Sequence, residues 1–204
     1  MKKLMGAFAV LSMSMWSCGP MSPEGDAGKD AGVTDAGSDA GTNAAPTCAS
    51  YCASVMTNCP GANAQYSNEA SCLGTCSAYA QGVTGATSGN TLSCRAYHAG
   101  AAPSDATLHC PHAGPAGDGV CGANCESFCT VAVAKCSTQF PDVATCTTAC
   151  SGFAMNMVHY TDATTAGNNY SCRMYHMSVA ASDATSAATH CAHTTTVSAP
   201  GTCQ

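Results

Sequence analysis

Apolar residues change their spacing three times along this chain. Leu4 to Met15 is a short apolar run preceded by Lys2 and Lys3. It is too short to cross a bilayer and has the length of the apolar core of a secretory signal peptide. From Gly19 to Pro46 almost nothing apolar remains, and Asp-Ala-Gly recurs at Asp26, Asp30, Asp35 and Asp39. Such a stretch cannot bury enough surface to offset the entropy of ordering. It therefore reads as a solvated spacer, about 30 Å end to end as a flexible coil. From Thr47 onward cysteines carry the periodicity. Cys48, Cys52 and Cys59 stand at i, i+4 and i+11, one helical face, and Cys72 and Cys76 share another. A third helix is predicted to begin near Asn90 or Thr91, with Cys94, Tyr97, His98 and Ala101 on one side.

The cysteine body is a duplication. Cys48, Cys52, Cys59, Cys72, Cys76, Cys94, Cys110 and Cys121 recur in order as Cys125, Cys129, Cys136, Cys146, Cys150, Cys172, Cys191 and Cys203. Cys94-Arg-Ala-Tyr-His98 matches Cys172-Arg-Met-Tyr-His176, and His109-Cys-Pro-His112 matches His190-Cys-Ala-His193. The predicted fold class is small, disulfide-rich and all-α. Two tandem modules, 47–124 and 125–204, each hold three to four short helices with long loops. Residues 1–17 are read as a signal peptide and 18–46 as a lipidated cysteine followed by a disordered linker.

Two cysteines at i, i+4 on one helix bond poorly to each other and pair across to a neighbour. In an antiparallel hairpin the position numbers of successive pairs have a constant sum. Cys48–Cys76 with Cys52–Cys72 satisfies that condition, and so does Cys125–Cys150 with Cys129–Cys146. The remaining pairs are predicted as Cys59–Cys94, Cys110–Cys121, Cys136–Cys172 and Cys191–Cys203, the second and fourth closing Gly/Pro-rich loops. Zinc–thiolate sites, which favour Cys-x2-Cys in reducing compartments, fit neither the x3 spacing nor the export signal.

Composition changes the picture in two respects. Charged residues make up only 9% of the chain, against about 25% in ordinary globular proteins. The net charge of −6, with only Arg95, Lys135 and Arg173 basic after residue 46, excludes nucleic acid as a partner, because phosphates would meet no basic patch. The chain also has 17 cysteines, an odd number. Setting aside Cys18, which follows Ser17 at the end of the signal segment, leaves an even set.

A small residue before a cysteine resembles the bacterial lipobox, although Met15 and Trp16 stand where leucine and a small residue are usual. Cys18, the Asp-Ala-Gly spacer, Cys-Arg-x-Tyr-His and His-Cys-x-His together resemble the cysteine-rich predicted lipoproteins of myxobacterial type. The resemblance implies export, anchoring to a membrane through a lipid on Cys18, and a disulfide-stapled body. With Gly19 rather than Asp after the cysteine, the expected location is the outer membrane or cell surface. No activity comes with the resemblance.

Six histidines belong to the duplicated pattern: His98, His109, His112, His176, His190 and His193; His159 does not. The plainer expectation is structural, with His98 and His176 hydrogen-bonded in small cores, the others capping backbone groups or facing water, and no cofactor. The sharper alternative is a three-histidine site for copper or zinc in each module. Haem is the remaining possibility, though Cys-x-x-Cys-His is absent. Met155, Met157, Met174 and Met177 near His159 and His176 read as packing residues, since module one lacks them. Arg95 and Arg173 are expected to pair with Asp105 and Asp183, joining the third helix to a Ser-Asp-Ala-Thr turn capped by Ser104 or Ser182. Serine-hydrolase, zinc-protease and phosphate-loop motifs are missing. The expected role is structural or binding, with no catalysis.

Overall fold

A computed structural model describes residues 44–155, 158–197 and 202–204. The signal segment, Cys18, nearly all of the linker and Met157 lie outside these residues. Within the compact unit Gly41–Gln204, the described residues form eight α-helices and no strands: α1 (Cys48–Asn58), α2 (Glu69–Cys76), α3 (Leu92–Ala101), α4 (Ala106–Ala113), α5 (Asn124–Lys135), α6 (Val143–Ser151), α7 (Tyr170–Ala180) and α8 (Ala184–His190). The last four repeat the first four.

Short polar residues start these helices. Thr47, Asn68, Thr91, Asp105, Asp142, Asn169 and Asp183 each accept a hydrogen bond from a backbone N–H three residues on, satisfying donors that the first turn leaves orphaned. α5 is preceded instead by Ala123, whose N–H donates to the Glu126 carboxylate at 3.2 Å. Helices α1, α2, α3 and α4 pack together, as do α5, α6, α7 and α8. The two sets meet where α2 lies against α7.

Matching positions fill the two cores differently. Tyr51, Tyr66 and Tyr79 are buried in module one, and their counterparts are Phe128, Phe140 and Phe153. The tyrosines need partners for their hydroxyls. Tyr51 donates to Ala113 O at 2.6 Å and shares a 2.9 Å hydrogen bond with Tyr66. The phenylalanines make edge-on contacts around Phe128, with ring centroids 5.5–5.7 Å apart. Large aliphatics are few. Among the described residues the buried ones are Val55, Leu92 and Val131, with Met174 and Met177 filling α7's inner side.

Eight disulfides join the helices. Cys48–Cys76 and Cys52–Cys72 tie α1 to α2, and Cys125–Cys150 and Cys129–Cys146 tie α5 to α6, the pairs that the constant-sum rule requires. The other four differ from expectation. Cys59 bonds Cys110, not Cys94, and Cys94 bonds Cys121. Likewise Cys136 bonds Cys191, not Cys172, and Cys172 bonds Cys203. The predicted Cys59–Cys94, Cys110–Cys121, Cys136–Cys172 and Cys191–Cys203 are therefore corrected.

The reason is the fourth helix. Cys110 lies on α4 rather than at the mouth of a loop, and its sulfur lies 3.8 Å from Asn58 O at the end of α1, where Cys59 is the C-cap. Past α4 the chain returns to α3, and Gly89 N–H donates to Val120 O at 2.8 Å. That contact sets Cys121 beside the first turn of α3 and Cys94. In module two, Gly167 N–H donates to Thr202 O at 3.0 Å and sets Cys203 beside Cys172.

The arginines also depart from expectation. Asp105 and Asp183 are helix caps, and no Asp or Glu side chain pairs with Arg95 or Arg173 among the described residues. Arg95 is fully buried. It lies 3.7 Å above the Tyr79 ring and donates to Gly114 O, Thr91 O and Ser127 Oγ. Arg173 lies over Phe153 and donates to Thr195 O, Asn169 O, Cys203 O and Asn168 Oδ1. Each guanidinium clamps the returning loop to the third helix of its module by filling backbone acceptors.

Candidate metal centre

Helical spacing brings the duplicated histidines together. α3 presents His98 one turn after Cys94, and α4 presents His109 and His112 three residues apart on the side facing α3. Cys110, between them, points the other way and is locked to Cys59. Module two repeats the placement, with His176 on α7, His190 ending α8 and His193 in the following 3-10 turn. In each trio the potential ligand nitrogens lie within 4.8 Å of one another. Cys94 with Cys121, and Cys172 with Cys203, also lie close to His98 and His176. Their sulfurs are bonded to each other and offer no thiolate.

Hydrogen bonding sets the tautomers. His98 Nε2 lies 3.1 Å from Thr87 O, and His176 Nε2 lies 3.1 Å from Thr165 O. A carbonyl only accepts, so Nε2 carries the proton in both rings. The lone pair of each neutral imidazole is then on Nδ1. That Nδ1 faces His109 Nδ1 at 2.9 Å in module one and His190 Nδ1 at 2.8 Å in module two. His193 Nδ1 lies 3.4 Å from His176 Nδ1. A backbone carbonyl holding the far nitrogen of a ring, with the lone pair of the near one turned toward the other rings, is the outer-shell arrangement typical of metal-ligating histidines.

Electrostatics favour the neutral form. Burial lowers the pKa of His98, with His109 adding a smaller downward push against the Thr87 bond. Burial also lowers His112 and His190, and holds His176 down to about 4. At neutral pH these rings need shed no proton to the solvent before ligating. His112 Nδ1 is buried and has no hydrogen-bond partner among the described residues.

The spacing suits a transition metal. Two nitrogens bound at 2.0–2.1 Å to a tetrahedral ion stand about 3.3 Å apart. The separations of 2.8–3.4 Å between His98 and His109, His176 and His190, and His176 and His193 need adjustments of about half an ångström, and the other pairs in each trio lie within 4.8 Å. Three imidazoles leave a fourth position for water or another ligand.

All six duplicated histidines thus converge, with the outer four, His109, His112, His190 and His193, half-buried. Asp118 and His159 were missed. Asp118 sits in the returning loop with a positive φ of 49°. It accepts a 2.7 Å hydrogen bond from His159 Nδ1 and lies 3.8 Å from His112 Nε2. Neither residue has a counterpart in the duplication, so a search for recurring positions passes over both. Of the methionines, Met174 and Met177 are wholly buried and Met155 is exposed.

A family model described as the BfoA family C-terminal domain matches residues 27–124. The chain is similar to the Aurasperone B biosynthesis cluster protein A of two Aspergillus niger strains, 44% and 42% identical over 64 residues. The matched stretch is 31% of this chain, and it spans about a fifth of the relatives, 21%. No solved structure matches.

Proposed function

We propose that this is an exported, lipid-anchored surface protein with a binding role, carrying one three-histidine site for a divalent transition metal, copper or zinc, in each module. The observation that carries the metal reading is the duplicated placement of a buried, tautomer-fixed Nδ1 on His98 and His176, each within 2.9 Å of a second histidine nitrogen. A purely structural histidine pair needs one hydrogen bond. A third ring within the same 4.8 Å sphere, repeated in both modules, is what a metal requires. Every cysteine from Cys48 to Cys203 is bonded, so none of these offers a nucleophile, and the role read from the site is binding of the ion. The same pairing supports an oxidising compartment and sets Cys18, the proposed lipid attachment point, apart from the eight pairs.

Calorimetric titration of the oxidised, metal-free full chain with zinc or copper(II) tests the metal reading. Two metal ions per chain are expected, and His109→Ala and His190→Ala each remove one. These are the more exposed ligands, so both variants should fold. A chain that takes up neither ion at micromolar concentration overturns the assignment. The anchor has its own test. Cys18→Ser should move the protein from the membrane fraction of the producing cell to the soluble exported fraction, and unchanged partitioning would reject lipidation.

A further inference from the structure

We infer that the two metal sites are chemically unequal: Asp118, held in place by His159 of the second module, is an outer-shell carboxylate for His112, so the first site binds a dication more tightly than the second. This inference rests on the metal reading above. Asp118 is mostly shielded, with its side chain 14% exposed, and the facing side chain of His112 is 13% exposed. His112 directs Nε2 toward the carboxylate at 3.8 Å, an ion-pair separation longer than a hydrogen bond. Its opposite nitrogen, Nδ1, is the buried one without a partner. A dication on Nδ1 would draw electrons from the ring and leave Nε2–H more positive, where a nearby carboxylate stabilises it.

His159 sets the carboxylate. Its Nδ1–H donates to Asp118 Oδ2 across the module boundary at 2.7 Å. The backbone at Asp118 is in the left-handed region, which aspartate and asparagine adopt more readily than other side chains. Module two has no equivalent. No acidic residue occurs between Cys191 and Gln204, and among the described residues no Asp or Glu side chain lies within ion-pair distance of His176, His190 or His193. The second module therefore completes the first site, while among the described residues the second site has its three rings and the Thr165 carbonyl with no Asp or Glu side chain beside them. Asp118 is a positioning residue and touches no metal.

The test measures zinc affinity by chelator competition in two backgrounds. His190→Ala isolates the first site and His109→Ala isolates the second. In the first background, Asp118→Asn keeps the shape and the permitted backbone but loses the charge. It should weaken zinc about tenfold, the low end of outer-shell effects, while metal-free thermal unfolding stays unchanged. Asp118→Glu should recover part of the loss, and His159→Ala should lose part of what Asn loses. In the second background Asp118→Asn should change nothing. Two loaded sites with unchanged affinity in Asp118→Asn overturn this inference and leave the metal reading standing. Equal weakening at both sites also overturns it, as a general structural effect. No zinc at either site overturns both.

Discussion

Reduction of the native protein by excess dithiol, without denaturant, is expected to abolish its helical circular dichroism at room temperature. The core explains why. Alanine, cysteine and aromatic rings make up most of the buried apolar residues, and the few large aliphatics cannot on their own carry a fold of short helices and long loops. A chain-entropy account gives about 4 kcal/mol for a crosslink spanning 51 residues, as in Cys59–Cys110, and about 3 kcal/mol for one spanning 17, as in Cys129–Cys146. A few such crosslinks match the whole stability of a typical domain, about 5–15 kcal/mol. Paired replacements by alanine separate the crosslinks. Cys59→Ala with Cys110→Ala should lower the melting temperature more than Cys129→Ala with Cys146→Ala. If the fully reduced chain kept both its helicity and its melting transition, the crosslinks would not be what holds the helices together.

The hairpin disulfides were legible because their information is local. Two Cys-x3-Cys pairs facing each other across one turn leave a single antiparallel register, whatever the length of that turn. Cys59, Cys94, Cys110 and Cys121 are different. Their pairing depends on where α4 points, and α4 carries a weak helix signal: it is short and has Pro111 inside it. Reading 111–120 as loop made Cys110–Cys121 the nearest closure. Once Ala106–Ala113 is a helix capped by Asp105, Cys110 turns toward the end of α1 and the local closure is lost. The three-histidine alternative also turns on this helix, since His109 and His112 converge on His98 when they lie on one face of α4.

The site's supporting groups were harder to find for a related reason. A duplication draws attention to what recurs, and recurrence found His98, His109, His112 and their three counterparts. Asp118 and His159 occur once each. The Arg–Asp pairings failed because equal spacing in two copies shows that two residues share a module, not that they touch. Helix capping satisfies Asp105 and Asp183 at their own helix starts, while the buried guanidiniums take backbone carbonyls that a tight returning loop cannot otherwise satisfy.

The way the modules join yields the second large effect. Gly74 lies inside α2, where glycine ordinarily costs about 1 kcal/mol relative to alanine. A Cβ built there would stand 1.9 Å from Ala181 O and 2.5 Å from its carbonyl carbon, both backbone atoms that no rotamer change can move aside. Its counterpart in module two is Thr148, fully at the surface. The glycine is therefore a property of the joint between α2 and the end of α7, not of the module. Gly100, within α3, supplies the contrast, since a Cβ there meets nothing within 4 Å. Gly100→Ala should raise the melting temperature, by about 0.5–1 kcal/mol of stability. Gly74→Ala should lower it, with about 1–3 kcal/mol of overpacking outweighing the helix gain, and Gly74→Thr should lower it further. Hydrogen exchange should show the loss first at the end of α7, because that is the segment forced away. If both alanine substitutions stabilised the protein alike, the two modules would not be joined through this contact.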